Sequence, residues 1–253
     1  MTKNASPVRA LAPGLPDEQA ALMYLHYPRP RSLPRRQVRL HRERGLRQPV
    51  QAAPAVLSLP LGEGWVVEVL DPWLASWPAL LEALWPRLSP EGSLWIQVHP
   101  RDGAYLKVLA DTLLGRRCFR NEVVWVHPPR FLDPRRWPET HQVLLGYVKS
   151  PRRALFQPDA VDRIPYMAPR LVGEAKARRG KLPTDVWWPG LGASEDETAL
   201  GEGDLGFPSR FWRRLLRAHT RPGDLVLVVG RVDPLVRAAR ALGRRCRVLA
   251  FPR

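Results

Sequence analysis

The stretch PGDLVLVVGRVDPLVRAARALGRR, Pro222 to Arg245, constrains this chain more than any other. Pro-Gly-Asp makes a turn. LVLVV then runs apolar without a break, too short for a helix and the right length for a strand buried on both faces. After Gly230 comes a helical stripe through Ala238, Ala239 and Leu242, stopped by Gly243. A strand and helix of this kind cannot bury their faces alone, so they demand a layered α/β fold around a largely parallel sheet. The same unit is how α/β proteins hold a nucleotide-like cofactor. The sequence must decide whether it is such a site here or only the frame of one.

The rest of the chain supplies matching pieces. WVVEVL, ending at Asp71, reads as a buried strand, and SWPALLEALWPRL as a helix with Leu80, Leu81, Leu84 and Leu88 on one side. SPEG reads as a turn, SLWIQVH as a strand, and GAYLKVLADTLLG as an amphipathic helix stopped by Gly115. EVVWVHP and HQVLLGYVKS are two further strands, SRFWRRLLRAH is a helix burying Phe211, Leu215 and Leu216, and CRVLAF is a last strand. The 253 residues, 45% of them hydrophobic, suffice for one large α/β domain. We expect that domain over 51–253, with a loop-rich insertion at about 151–206 that ends in the acidic SEDETALGEGD.

Residues 1–50 are different. PRPRSLPRRQVRLHRERGLRQP holds eight arginines and one acid, Glu43. Its prolines oppose a helix, so it reads either as an arm lying on phosphates or as a disordered tail. PDEQAALMYLHY just before it reads as a short helix, with Asp17 and Glu18 in the first turn.

Charge narrows the partners. Forty basic residues against 24 acidic ones leave +16, and 35 of the 40 are arginine. Arginine forks match phosphate oxygens and stack on bases, which points to a nucleic acid. A GC-rich coding bias, or a thermophilic origin, accounts for Arg in place of Lys and for the 28 prolines, but not for the excess over acids. No apolar run reaches membrane length, the N-terminus lacks a secretory signal, and the reading is an intracellular protein of the cytoplasm, associated with the nucleoid. Cys118 and Cys246 read as small buried hydrophobes, and no histidine spacing suggests a metal.

Taken in order, LDPWL at a strand end, FRNEVVWVHPP, HQVLLGYVKS, RRGKLPTDVWWP and RPGDLVLVV…AARALGRR resemble the S-adenosylmethionine-dependent DNA amino-methyltransferases, which methylate adenine N6 or cytosine N4. The order is that of the class whose Asp-Pro-Pro-Tyr motif precedes the cofactor motif, and it covers roughly residues 60–253. The resemblance implies a Rossmann-like methyltransferase fold, mainly parallel and twisted, with helices on both faces. It also implies a catalytic loop whose Asp accepts hydrogen bonds from the target amine and whose aromatic stacks on the flipped base.

The chemistry-bearing positions depart from the family. The catalytic loop falls on Asp71, Pro72, Trp73 and Leu74, which keeps Asp-Pro and loses the aromatic at its place. The cofactor motif Asp-Pro-Phe-x-Gly-Ser-Gly-Thr falls on Val228 through Leu235: the acid is Val228, the Phe is Gly230, and the two glycines are Val232 and Pro234. Glycines there let the backbone approach the cofactor, which valine and proline prevent. The Thr-Gln-Lys-Pro stretch becomes Ser209-Arg210-Phe211-Trp212, and no acid follows the last strand.

These departures imply a methyltransferase-like protein that binds DNA without methylating it, with no cofactor expected. Its candidate contacts are Arg35, Arg36, Arg39, Arg130, Arg135, Arg136, Arg178, Arg179 and Lys181. The family further implies a homodimer or pairing with an active paralogue. Two alternatives stand beside this reading: an active enzyme that uses S-adenosylmethionine in a divergent site, and an RNA-binding protein on the same fold.

Overall fold

The computed structural model describes residues 15–26, 37–42, 51–53, 56–62, 65–70, 72–129, 132–188, 207, 209–230 and 233–249. In chain order the first strands are β1 (Ala20–His26), β2 (Gln37–Arg42), β3 (Gln51–Ala53), β4 (Val56–Gly62) and β5 (Trp65–Leu70). Helices α1 (Pro72–Ala75) and α2 (Trp77–Leu84) lead to β6 (Leu88–Val98), α3 (Pro100–Ala110), β7 (Phe119–Val126) and β8 (His141–Val148). Then come α4 (Glu174–Arg179), β9 (Val186–Trp187), α5 (Ser209–His219), β10 (Leu225–Val229), α6 (Asp233–Ala241) and β11 (Arg245–Leu249).

Seven strands form one sheet in the order β11-β10-β1-β6-β8-β7-β9. All pairings are parallel except those of β8, which runs against both β6 and β7. This is the mainly parallel α/β sheet that the strand and helix pattern required. Alternation along the strands separates two cores. Met23, Leu25, Leu94, Ile96, Leu227 and Val229 pack with α1, α2 and α3 on one face. On the other, Leu22, Tyr24, Trp95, Val226 and Val228 pack with α5 and α6. Burial of both faces explains why LVLVV and ALMYL read as unbroken apolar runs.

Two glycines are fixed by close approach. A Cβ on Gly92 would stand 2.9 Å from the Ala21 carbonyl oxygen and 2.8 Å from Leu88 Cδ1. One on Gly146 would stand 2.6 Å from the Trp95 ring.

Three expectations change. PDEQAALMYLHY is not a helix: Ala20–His26 is β1, in the middle of the sheet between β10 and β6. Asp17 and Glu18 do not start a helix either; they pair with Arg87 and Arg245. SPEG lies inside β6 as an irregularity, where pairing with β1 jumps from Leu88 to Ser93. Finally, the segment read as an arm or tail contains β2, which belongs with β5, β4 and β3 to a separate four-stranded antiparallel sheet. Val38 and Leu40 alternate with Arg39 and His41 there, a strand period that the arginine density obscures. A boundary at residue 50 therefore cuts through the large sheet, because β1 lies before it.

Candidate cofactor edge and nucleic-acid surface

In an open parallel sheet the ligand crevice lies beyond the carboxyl ends of the strands, where neighbouring strands send their connections opposite ways. Here that pair is β10 and β1. β10 leads through α6 to β11 on one side, while β1 leads eventually to β6 on the other. Their ends are in register at Leu25 and Val229.

Most of the described residues of this edge are apolar. Val228 is fully buried between the sheet and the two helices. Gly230 has φ of 110° and its N–H donates to the Leu249 carbonyl at 2.7 Å, so it extends the sheet instead of facing a ligand. Pro234 is half-buried in the first turn of α6, a position that tolerates proline. Ser209, also half-buried, opens α5. Val232 lies outside the described residues.

Behind them the first turns of α5 drive an aromatic cluster against the sheet. Phe211 and Trp212 are almost fully buried. Trp212 meets Tyr24 edge-on at 4.9 Å; Phe211 meets Phe207 at 4.3 Å, Trp187 at 4.7 Å and Trp125 at 5.5 Å. Contacts of this geometry add about 0.5–1.5 kcal/mol each beyond area burial. The Tyr24 hydroxyl donates to Gln97 Oε1, and burial raises its pKa far above that of an ordinary phenol. The cluster also encloses donors without partners, Gln97 Nε2 and Trp212 Nε1.

Of the catalytic-loop candidates, Trp73 and Leu74 pack in the same core as Leu25 and Val229. The strand before them, β5, belongs to the four-stranded sheet and not to the one containing β10. Trp73 and Leu74 are 4% and 0% exposed, in the core beneath α2, with Trp73 edge-on to Trp77 at 5.4 Å. Neither can stack on a base from there; apolar residues four apart on adjoining helical turns simply pack. Asp71 lies outside the described residues, as does the side chain of Pro72.

The basic candidates fall into separate places. Arg135 and Arg136 are exposed on the loop after β7, at the carboxyl edge. Arg136 pairs with Asp133 and Glu139, and Glu139 also takes Arg101 and His99. The Arg101 hydrogen bond, with the Arg101 and His99 charges, holds the Glu139 carboxyl below the ordinary range. Next to these arginines is Trp137, 93% exposed, which sequence reasoning passed over although RRWP in a proline-rich loop marks it. Arg178 and Arg179 are exposed on α4, Arg178 paired with Glu174, and Lys181 is half-buried beside the Tyr166 ring. These lie ahead of β9, away from the β7–β8 loop. Arg39 sits on β2 opposite Glu68. Arg35, Arg36 and Arg130 lie outside the described residues.

A family model described as DNA methylase, that of the N6/N4 methyltransferases, matches residues 65–245. The chain belongs to the DNA methylase family. Among solved structures, the PvuII DNA methyltransferase, cytosine-N4-specific, shares the fold at TM-score 0.50 and 13% identity, over 72% of this chain and 67% of that one. M1.HpyAVI aligns at TM-score 0.44 and 18% identity, over 69% and 75%; its SAM complex aligns at 0.43 and 17%, over the same shares. No curated protein matches.

As a DNA methylase family member, the chain places its family positions on a sheet of the expected kind, yet the residues described at the cofactor edge do not fit S-adenosylmethionine. That ligand carries a charged methionine end and ribose hydroxyls. The edge offers them Val228, Pro234 and an aromatic cluster; its one described acid on the β10–α6 turn is exposed Asp233. The family match begins with β5 and leaves out β1, whereas the fold puts β1 beside β10.

A feature the sequence did not announce lies at the opposite end of the same face. A cavity of about 330 Å³ opens between β6, β7, α5 and the insertion, lined by Trp95, Phe156, Trp187, Arg214 and His219 among others. His219 sits between Trp95 and Phe156, with ring centroids at 5.1 and 5.5 Å, and its Nδ1 lies 3.2 Å from the Leu155 carbonyl oxygen. Burial lowers its pKa to about 4, so the ring is neutral at pH 7.

Proposed function

We propose that this DNA methylase family member has kept the fold, lost methyl transfer, and works by binding DNA through its basic surface. One observation carries the reading: the crevice between β1 and β10 is backed by buried Val228 and by the Phe211–Trp212 cluster, where the family places an acid and the Thr-Gln-Lys-Pro stretch. Two segments compete for the catalytic-loop place. One follows β1 and reads His26-Tyr27-Pro28-Arg29; the other, Asp71-Pro72-Trp73-Leu74, lies within the matched residues 65–245. Asp-Pro-Pro-Tyr stands in neither. A DNA-binding protein of this kind would act as a homodimer or beside an active paralogue.

Two measurements test it. Losing several polar contacts of about 1–3 kcal/mol each leaves little affinity for S-adenosylmethionine. Isothermal titration should therefore show no binding at millimolar cofactor, and micromolar binding would overturn the non-catalytic reading. Gel shifts with duplex DNA over a salt series should give a log–log slope of about −0.9 for each phosphate contacted. A flat salt dependence, or binding confined to structured RNA, would remove DNA as the partner.

A further inference from the structure

The cavity beside His219 lies at the amino ends of the parallel strands, on the same face of the sheet as the crevice between β1 and β10 but at its opposite end. His219 ends α5, just before the turn that enters β10. We propose that this cavity is a binding site for a guanine nucleotide, with the base inside and the phosphate on an arginine rim.

The walls suit a planar ring. Trp95, Phe156 and Trp187 give aromatic faces, with Leu182 and Pro183 completing the lining. At about 330 Å³ the space is at the small end of ligand pockets, the size class of a base and part of its sugar. Besides Asn121, Thr184 and Asp185, the lining has two polar groups set apart on α5. Arg214, its guanidinium 4.9 Å from the Trp187 ring, has a buried Nε with no hydrogen-bond partner. Desolvation, then the Arg210 charge, lowers its pKa, so it gains from an acceptor. His219 is committed through Nδ1–H to the Leu155 carbonyl, which leaves Nε2 as an acceptor. Arg214 and His219 are five residues apart on one helix, about 7.5 Å of rise. The ligand must therefore carry acceptors on one edge and a donor on another. Guanine does, with O6 and N7 for an arginine fork and its ring N–H and amine as donors.

The rim supplies the charge. Arg116, Arg117 and Arg120 precede or open β7, next to lining residue Asn121. Arg152 and Arg153 follow β8, four and three residues before Phe156. The Arg120 guanidinium donates to the Pro151 carbonyl and ties the two turns together. All five side chains are exposed, and among the described residues none of them forms an ion pair with a carboxylate. Of the acids at this end, Glu91 pairs with Arg221 and Asp162 with Arg217, while Asp185 lines the cavity itself, away from the five arginines in sequence. Glu91, paired with Arg221, also feels the Arg153 charge, yet arginines without an ion-paired carboxylate of their own fit a phosphate group.

The test titrates 5′-GMP into the full chain, following tryptophan fluorescence and heat. We expect saturable binding, at least fivefold weaker for guanosine, which lacks the phosphate. Phe156→Ala removes one exposed wall and should weaken GMP about tenfold. The pair Arg152→Glu and Arg153→Glu should do at least as much and erase the preference for GMP over guanosine. Both variants change exposed side chains, and their far-UV spectra and melting should match the parent. Absence of GMP binding at millimolar concentration, or unchanged affinity in both variants, would overturn the proposal. A single strand beginning with 5′-phosphorylated guanine serves as competitor. If it displaces GMP, the site takes the end of a strand; if it does not, the site takes free nucleotide; each outcome supports the nucleotide. The S-adenosylmethionine and duplex titrations read a different edge, so the two proposals fail separately.

Discussion

Acid should weaken this fold in a window set by His219. The ordinary histidine pKa is 6.5, and burial against Trp95 and Phe156 takes this one to about 4. The folded state therefore prefers the neutral ring, while the unfolded chain takes up a proton first as the pH falls. The stabilisation is complete above about pH 6.5, declines between 6.5 and about 4, and changes no further below that. At about 1.4 kcal/mol per pH unit the full loss is about 3 kcal/mol. The cavity mouth beside half-exposed Phe156 admits water to the ring, so this is a ceiling. Urea unfolding at half-unit steps from pH 8 to pH 4 measures the curve, and His219→Gln supplies the comparison. Exposed carboxylates held low by arginine, such as Glu18, Glu91 and Glu139, act at the acid end in both proteins and cancel in the difference. The difference should grow from pH 6.5 downward, with the wild type losing more. Parallel curves would refute the reasoning, because they would mean the ring is solvated in the folded protein.

Gly146→Ala would drive a methyl group into the Trp95 ring, whose Nε1–H is held by Ser93 Oγ at 3.1 Å. Overpacking of this kind costs about 1–3 kcal/mol, a fall in Tm of about 2–12 °C, and Trp95→Phe in the same chain should recover part of it. Gly230→Ala asks an alanine to hold φ of 110°, and a loss of about 1–2 kcal/mol in urea unfolding should follow. An unchanged midpoint in either variant would contradict the geometry that assigns glycine there.

The parts legible in sequence were those whose neighbours lie close along the chain. The β10–α6 unit and the buried stripe of α5 follow from periodicity alone, and Trp212 simply extends that stripe. β1 looks like a helix in sequence because Pro16, Asp17 and Glu18 imitate a helix start, while the stronger signal is the run of apolar residues on both faces of Ala20 to Leu25. β2 was hidden by arginines alternating with Val38 and Leu40, since charge density and proline suggest a solvated chain. Trp73 and Leu74 carried a motif-like Asp-Pro ahead of them, yet their surroundings were set by α2, which local sequence cannot place. The cavity was invisible for a similar reason. Trp95, Phe156, Trp187 and His219 come from four distant segments, and only the assembled fold brings them together.

The central position of β1 also orders events during synthesis. Leu25 pairs with Val229, about two hundred residues later, so β1 waits for that length of chain before its neighbour on that side exists. Until then its Val229-facing edge offers unpaired backbone groups, the usual template for association between nascent chains. A sheet assembled from such distant partners is slow to close. Removing residues 1–50 would therefore do more than trim positive charge. It would leave β6 and β10 without the strand that joins them, and the product should be recovered as aggregate rather than as a protein with weaker DNA affinity.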